Sequence, residues 1–279
     1  MWKCLYPLLL CLLLVSCSSK KNNQERIINV TIEPERFLAE AIAGDKYTVN
    51  TIVPKGSNPE IYEPSPEQLV KLSEGSIYLR IGQIGFEQIW MDRIRQNAPD
   101  MRIYDLSEGI IRPEKGKYVD PHIWTSVKNM RIMAQHLVEI LAKEDPENGE
   151  YYRKRAAALT AELKKMDEAF GNQLKSVPNR SFLIYHPTLT YFAKDYNLDQ
   201  IAIEKEDKEP TPFTVKETIN ECKRKHVRLI LLQKEFDIKN TQMIARQLDA
   251  QIVQFDPLAY NWPETMRQVV NAISNPVQK

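Results

Sequence analysis

Hydrophobic and polar positions repeat with two different periods along this chain, and the longest stretch with a single period lies in its middle. From Asn148 to Ser176, NGEYYRKRAAALTAELKKMDEAFGNQLKS places Tyr152, Ala156, Leu159, Leu163, Met166 and Phe170 four, three, four, three and four residues apart. That spacing makes one apolar stripe on a helix, with Arg, Lys, Glu and Asp covering the opposite face. Pro146 precedes the run, where a missing N–H costs little, and Pro178 closes it. Such a helix spans roughly 43 Å, too long for a crossover inside a modest domain. A short coiled coil would carry the same stripe. A rigid spine is the better fit, because the chain on either side has two similar halves.

In the first half, RIINVTI reads as a strand and PERFLAEAIAG as a helix stopped by Gly44. KYTVNTIV is the next strand, and PEQLVKLSEG is a helix opened by Ser65-Pro66 and closed by Gly75. SIYLRIG, MRIYDLS and the helix SVKNMRIMAQHLVEILAKE follow. The second half repeats the style with SFLIY, FAKDY, VKETINECKRK, VRLILLQ, NTQMIARQLDA and QIVQF, then a last helix near Pro263 to Ser274. Alternation of this kind predicts an α/β fold of two lobes, each a mostly parallel sheet flanked by helices. The expected divisions are an N-terminal lobe over residues 26–147, the spine over 148–176 and a C-terminal lobe over 177–279, with a cleft between the lobes.

The first residues have a different character. One early Lys3 precedes an apolar run from Leu5 to Val15, too short to cross a bilayer and built like the core of a secretory signal. It ends in Leu14-Val15-Ser16-Cys17, which resembles a bacterial lipobox, cut before the cysteine so that the thiol is acylated. An ordinary signal with an incidental cysteine is the plainer alternative. Residues 1–16 are thus expected to be a lipoprotein signal and 17–25 a polar, flexible tether. The product would be exported and lipid-anchored to the cell envelope.

Composition narrows the picture further. Cys4 and Cys11 fall in the signal and Cys17 would be lipidated, so Cys222 would stand alone and no intramolecular disulfide could form. Stability must come from burial, and about 263 remaining residues suffice for two cores. Without Lys3 the balance is 37 basic against 37 acidic residues, which points away from nucleic acid and polybasic membrane contacts.

Open α/β sheets bind ligands at the carboxyl ends of their strands. Four polar residues follow strand candidates or open the loops beyond them. Glu60 sits at the apex of VPKGSNPEIYEPSP, a loop stiffened by four prolines, with Glu63 as its rival there. His122 lies in YVDPHIW, between a proline and a tryptophan. His186 follows SFLIY and Asp256 ends QIVQF. Singly, each has an ordinary structural role available: a solvated loop acid, a capping or core histidine, an Asp-Pro turn. Together they offer two imidazoles and two carboxylates from two lobes, a donor set suited to a divalent transition metal. His136, within a helix, and His226, in the basic segment KRKHVR, read as surface residues.

The segments AIAGDKYTVNTIVPKGSNPEIYEPSP, IYLRIGQIGFEQIW, IYDLSEGI, VDPHIW, YHPTLTYFAKDY and QFDPLA resemble, in order, those of the zinc and manganese solute-binding lipoproteins of ABC transporters. The resemblance runs from about Ile27 to Ile273. It implies metal ligands at Glu60, His122, His186 and Asp256. It also implies Zn²⁺ or Mn²⁺ (Fe²⁺ as a further candidate) as cargo, a permease with its ATPase as partner, and a monomer. Two departures stand out: the family usually has histidine where this chain has Glu60, and the acid- and histidine-rich loop of many zinc-specific members is missing. A metal-dependent hydrolase is the enzymatic alternative, but no HExxH, nucleophile elbow or Gly-rich phosphate loop is present. A surface adhesin on the same fold is the third possibility.

The lipid anchor can be tested directly. Cys17→Ala is expected to block processing and acylation, so that the variant keeps its leader and, unlike the wild type, carries no lipid modification by mass spectrometry.

Overall fold

The computed structural model of the protein describes residues 26–275, apart from residues 113, 116–117, 205–209, 235 and 237. The lipobox-like segment, Cys17 and the tether lie outside the described residues. In the first half, β1 (Ile27–Val30) runs between β2 (Thr48–Thr51) and β3 (Ile77–Arg80), and β4 (Arg102–Asp105) lies outside β3, all parallel. A two-stranded antiparallel ribbon, β5 (Glu114–Lys115) with β6 (Tyr118–Val119), follows. In the second half, β7 (Ser181–Ile184) runs between β8 (Asp199–Ala202) and β9 (Leu229–Gln233), with β10 (Gln251–Phe255) outside β9, again all parallel. Counted from its own first strand, each sheet has the order 2-1-3-4. Both therefore reverse winding direction at the same place, between the first and third strands, which is where open sheets leave a crevice.

Most helices lie where their sequence signals put them. α1 (Glu33–Ala43) stops at Gly44, whose φ of +58° a side chain would oppose. α2 (Pro66–Ser73) opens with a capping box: Ser65 Oγ accepts from Gln68 N–H at 3.2 Å, and Gln68 Oε1 accepts from Ser65 N–H at 2.9 Å. α3 (Gly85–Asn97) is absent from the sequence reading, and its pattern explains why. It buries Phe86, Glu87, Met91 and Ile94 but exposes Ile89, so its apolar residues do not form one stripe. α4 (Val127–Glu144) and α5 (Gly149–Lys175) match expectation. FAKDY falls at the end of α6 (Thr190–Asp195), and the short strand β8 beyond it carried no recognisable run. α7 (Pro212–Arg224), α8 (Ile238–Leu248) and α9 (Trp262–Ser274) are the remaining described helices.

α5 is the expected spine, 27 residues or roughly 40 Å long. Its stripe of Tyr152, Ala156, Leu159, Leu163, Met166 and Phe170 is buried, and Leu174 extends it. Near its start Arg155 Nε donates to Ala41 O of α1 at 3.0 Å. Toward its end Tyr196 OH donates to Asp167 at 2.7 Å, and Gln173 donates to Asn271 of α9 at 2.9 Å. The expectation of two separate cores is corrected here. One continuous core runs from the first sheet through α4, α5 and α9 to the inner face of the second, where Phe182, Ile184, Leu229 and Leu231 join it. Among the described residues, only the outer face of the second sheet has its own cluster, formed by Leu183 and Ile230 with Ile219, Cys222, Ile244 and Leu248 of α7 and α8. Period-two alternation on β7 and β9 sends neighbouring side chains to the two different clusters.

The crevice of the first sheet is filled. Beyond β1, Thr31 meets two fully buried carboxyl groups: its N–H donates to Glu35 Oε2 at 3.0 Å and its hydroxyl donates to Glu87 Oε1. Glu87 also accepts the N–H groups of Ile81 and Gly82 just beyond β3. Burial pushes Glu87 up to about 7 against these hydrogen bonds, and burial together with the charge of Glu87 raises Glu35 well above the usual carboxylate range. A carboxyl raised in the folded state holds its proton there after the unfolded chain has lost it, so stability falls as pH rises through that window. The thermal midpoint is therefore expected to drop between about pH 4.5 and about pH 7. Glu87→Gln, measured by calorimetry across that range, should flatten the slope.

Candidate metal centre

Glu60 is placed by the start of α3. The Pro59–Glu60 segment lies over that helix end, where Phe86 N–H donates to Pro59 O at 3.0 Å and Gly85 N–H donates to Glu60 Oε2 at 2.8 Å. Two N–H groups that the helix cannot satisfy internally are thus satisfied by the loop, and the carboxylate sits at the positive end of the helix dipole. The approach is close enough to require glycine. A Cβ on Gly85 would come within 2.2 Å of the Glu60 carbonyl oxygen. Glu63, the rival in the same loop, is exposed.

His122 comes from the turn that leads into α4. Asp120 folds back on it, accepting His122 N–H at 2.9 Å and facing Nδ1 at 2.8 Å. Burial pushes the Asp120 carboxyl up, but the charge and hydrogen bonds of His122 outweigh it and hold the group below its ordinary value. The residues just after His122 are bonded to the other half of the molecule. Trp124 Nε1 donates to Pro257 O at 2.9 Å, Trp262 Nε1 donates to Trp124 O at 2.8 Å, and Thr125 Oγ1 donates to Thr188 O at 2.9 Å.

His186 occupies the crevice of the second sheet, between the ends of β7 and β9. Gln233, the last residue of β9, donates from Nε2 to His186 O at 2.6 Å and to Thr188 Oγ1 at 3.1 Å. The ring stacks near Phe236, with centroids 6.0 Å apart, and its Nδ1 lies 3.1 Å from Glu204 Oε2. Its Nε2 is 3.3 Å from Nε2 of His122, although the two residues are 64 positions apart. Both rings are nearly buried, at 4% and 8% exposure. Each Nδ1 is turned to a carboxylate, and the two Nε2 atoms converge on one spot, within hydrogen-bond distance of each other.

That spot opens into a cleft of ≈ 140 Å³ lined by residues of both halves, among them Glu60, His122, His186, Glu204, Pro257 and Leu258. It is small beside the roughly 300–1,000 Å³ of organic ligand sites. Asp256 immediately precedes this lining but is turned into its own loop. Its Oδ1 accepts Leu258 N–H at 3.0 Å, and its Oδ2 lies 4.0 Å from Lys234 Nζ. Among the described residues, no three His, Cys, Asp or Glu side chains stand close enough together to hold an ion as they are. His136 and His226 are far from joining: the first faces Leu106 O at 3.1 Å, half-buried rather than on the surface, and the second is an exposed residue after α7 with φ of +53°.

Residues 28–275 match the family described as the periplasmic component A of the zinc-uptake complex, ZnuA. The chain belongs to this family. Two relatives are metal ABC transporter substrate-binding lipoproteins. ScbA of Streptococcus cristatus is 28% identical over 277 residues, covering 90% of this chain and 88% of its own. The manganese lipoprotein PsaA of Streptococcus mitis is 28% identical over 261 residues, covering 86% and 84%. Among solved structures, ZnuA superimposes with a TM-score of 0.86 at 36% identity, covering 90% of this chain and 99% of its own. The laminin-binding adhesin Lmb of Streptococcus agalactiae has a TM-score of 0.80 at 20% identity, covering 88% and 98%, a likeness of fold alone. Among the described residues, no helix is long and apolar enough to cross a membrane.

The two histidines are marked in the sequence by their neighbours, whereas the carboxylates behind them, Asp120 and Glu204, emerge from the fold. Asp120 was legible in principle, since Asp-Pro-His is the pattern of an Asx turn. Glu204 had no local signal, because it opens the charged run EKEDKE. The role of Gly85 was likewise hidden with α3. Gly85→Ala is expected to force the Pro59–Glu60 backbone off the helix, lowering stability by ~1–3 kcal/mol in denaturant titration. Gly171→Ala on α5, where a new Cβ meets nothing within 4 Å, is the control and should not destabilise.

Proposed function

We propose that this protein is the solute-binding component of a metal ABC transporter, capturing a divalent transition metal and delivering it to a membrane permease driven by its ATPase. The observation that carries this is the pair of imidazole Nε2 atoms converging at 3.3 Å in a small cleft between the lobes. Membership of the ZnuA family over residues 28–275 supports it. So does a zinc-bound ZnuA deletion mutant, which superimposes with a TM-score of 0.86 at 35% identity.

The ligands we assign are Glu60, His122, His186 and Asp256. Ion capture requires Glu60 and Asp256 to turn toward the histidines, Asp256 with Oδ2, since its Oδ1 accepts Leu258 N–H. Two carboxylates would neutralise a divalent ion, which limits the desolvation cost of holding it in a closed site. A shell of four protein donors would leave no position for an activated water, which favours transport over the hydrolase alternative. Two nitrogens and two oxygens suit Zn²⁺, Mn²⁺ or Fe²⁺, with Zn²⁺ intrinsically the tighter-binding of Zn²⁺ and Mn²⁺. The protein acts as a monomer, divided into the lobes 26–147 and 177–279 about the spine 148–176. It is exported and tethered to the envelope through Cys17.

Calorimetry with Zn²⁺ and Mn²⁺ tests the assignment. His122→Ala and His186→Ala should each weaken binding at least ~10-fold, about 1.4 kcal/mol. Glu60→Gln should weaken both ions, whereas Glu60→His should raise Zn²⁺ over Mn²⁺. Glu63→Gln should change neither. Wild-type affinity in any of the first three variants would remove that residue from the site.

A further inference from the structure

We propose that Glu204 is a positioning residue, which commits His186 to present Nε2 to the metal and so sets the geometry of the C-terminal side of the site. The inference rests on the metal-capture function above and adds a fifth residue to it, one that acts through a ligand and not as one.

The two histidines are oriented by different devices. His122 is held by Asp120, two residues away, through both its backbone N–H and its ring, in a turn that is almost wholly buried. That arrangement is local and would survive considerable movement of the rest of the cleft. His186 is oriented from another strand, by a carboxylate 18 positions away in sequence. Glu204 is delivered there by backbone pairing that continues past the end of β8, where Ile203 N–H donates to Ile184 O at 3.0 Å and Glu204 N–H donates to Tyr185 O at 2.9 Å. The ladder thus carries Glu204 to the flank of His186, and its side chain, 14% exposed, lines the cleft.

A carboxylate can only accept a hydrogen bond, so it selects the tautomer with the proton on Nδ1. Nε2 is then left with its lone pair toward His122. Metal-binding imidazoles are commonly oriented and made more basic in this way, and losing the partner typically costs 10–100-fold in affinity. Glu204 itself lies on the Nδ1 side of the ring, away from the point where the two Nε2 atoms converge, which places it behind the ligand.

The test compares Glu204→Ala with Glu204→Gln in the full chain, purified free of metal. A glutamine side chain keeps an oxygen that accepts from Nδ1–H, whereas alanine does not. Zn²⁺ affinity by competition with a chromophoric chelator should fall 10–100-fold in Glu204→Ala and stay within about threefold of wild type in Glu204→Gln. The visible spectrum of bound Co²⁺ should be unchanged in Glu204→Gln. Long-range ¹H–¹⁵N spectra of the metal-free protein should show His186 protonated on Nδ1 in wild type and Glu204→Gln, and a mixed or reversed tautomer in Glu204→Ala. Wild-type affinity and tautomer in Glu204→Ala would overturn the proposal. An equal loss in both variants, with an altered Co²⁺ spectrum, would also overturn it, by making Glu204 a direct ligand. If wild type itself bound no metal, or His122→Ala bound it unchanged, the failure would lie in the metal site and not in Glu204.

Discussion

The structure depends most on a short run of backbone, His122 to Ser126, which belongs to the first half of the chain but is bonded to the second. Trp124 is fully used there: its indole donates to Pro257 O and its carbonyl accepts from Trp262. Both indoles are almost completely buried, so each bond is worth roughly 0.5–1.5 kcal/mol net, while an abandoned carbonyl would cost about 1–3 kcal/mol. Tyr191 adds a bond to Asp120 O at 2.9 Å, and Ser126 binds Asp195. The two histidines face one another because this seam fixes where the loops of one lobe meet the strand ends of the other. Wide opening of the lobes would have to break several of these bonds together with the core beneath them. Adjustment of loops is the cheaper motion.

How much could be read from the sequence follows from how local each signal was. The stripe on α5, the capping box before α2 and the β-branched strands are set by neighbours within a few residues, and they were legible. α3 was not, because its inward face includes Glu87, a charged residue that is buried only through bonds to Thr31, Ile81 and Gly82. β8 was not, because its four residues Asp199, Gln200, Ile201 and Ala202 carry no apolar run. The merged core could not be seen either, since nothing in the sequence of one half says that its apolar face continues into the other.

The site divides in the same way. His122 and His186 stood out because they follow proline-marked turns and strand ends, and the fold brings them together. Asp256 also stood out, yet in this structure it serves the Asp-Pro turn that its sequence equally suggested. That turn occupies Oδ1 alone, and among the described residues Oδ2 has no closer partner than Lys234 Nζ at 4.0 Å. Glu204 and Gly85 escaped notice because their importance lies in contacts with residues 18 and 25 positions away.

The repeated 2-1-3-4 order of the two sheets carries a last consequence. Topologically the protein is one pattern used twice, and by strand order alone it could be cut in two at the turn before α5. Physically it cannot. A fragment ending there would bare the inner surfaces of α1 and α4, and its complement would bare the stripe from Tyr152 to Leu174 along with Trp262. Neither piece could retain a native interior alone, so the repeat survives in connectivity while independence has been given up. Damage anywhere along the spine is therefore felt in both halves at once, and the molecule should fold and unfold as a single cooperative unit.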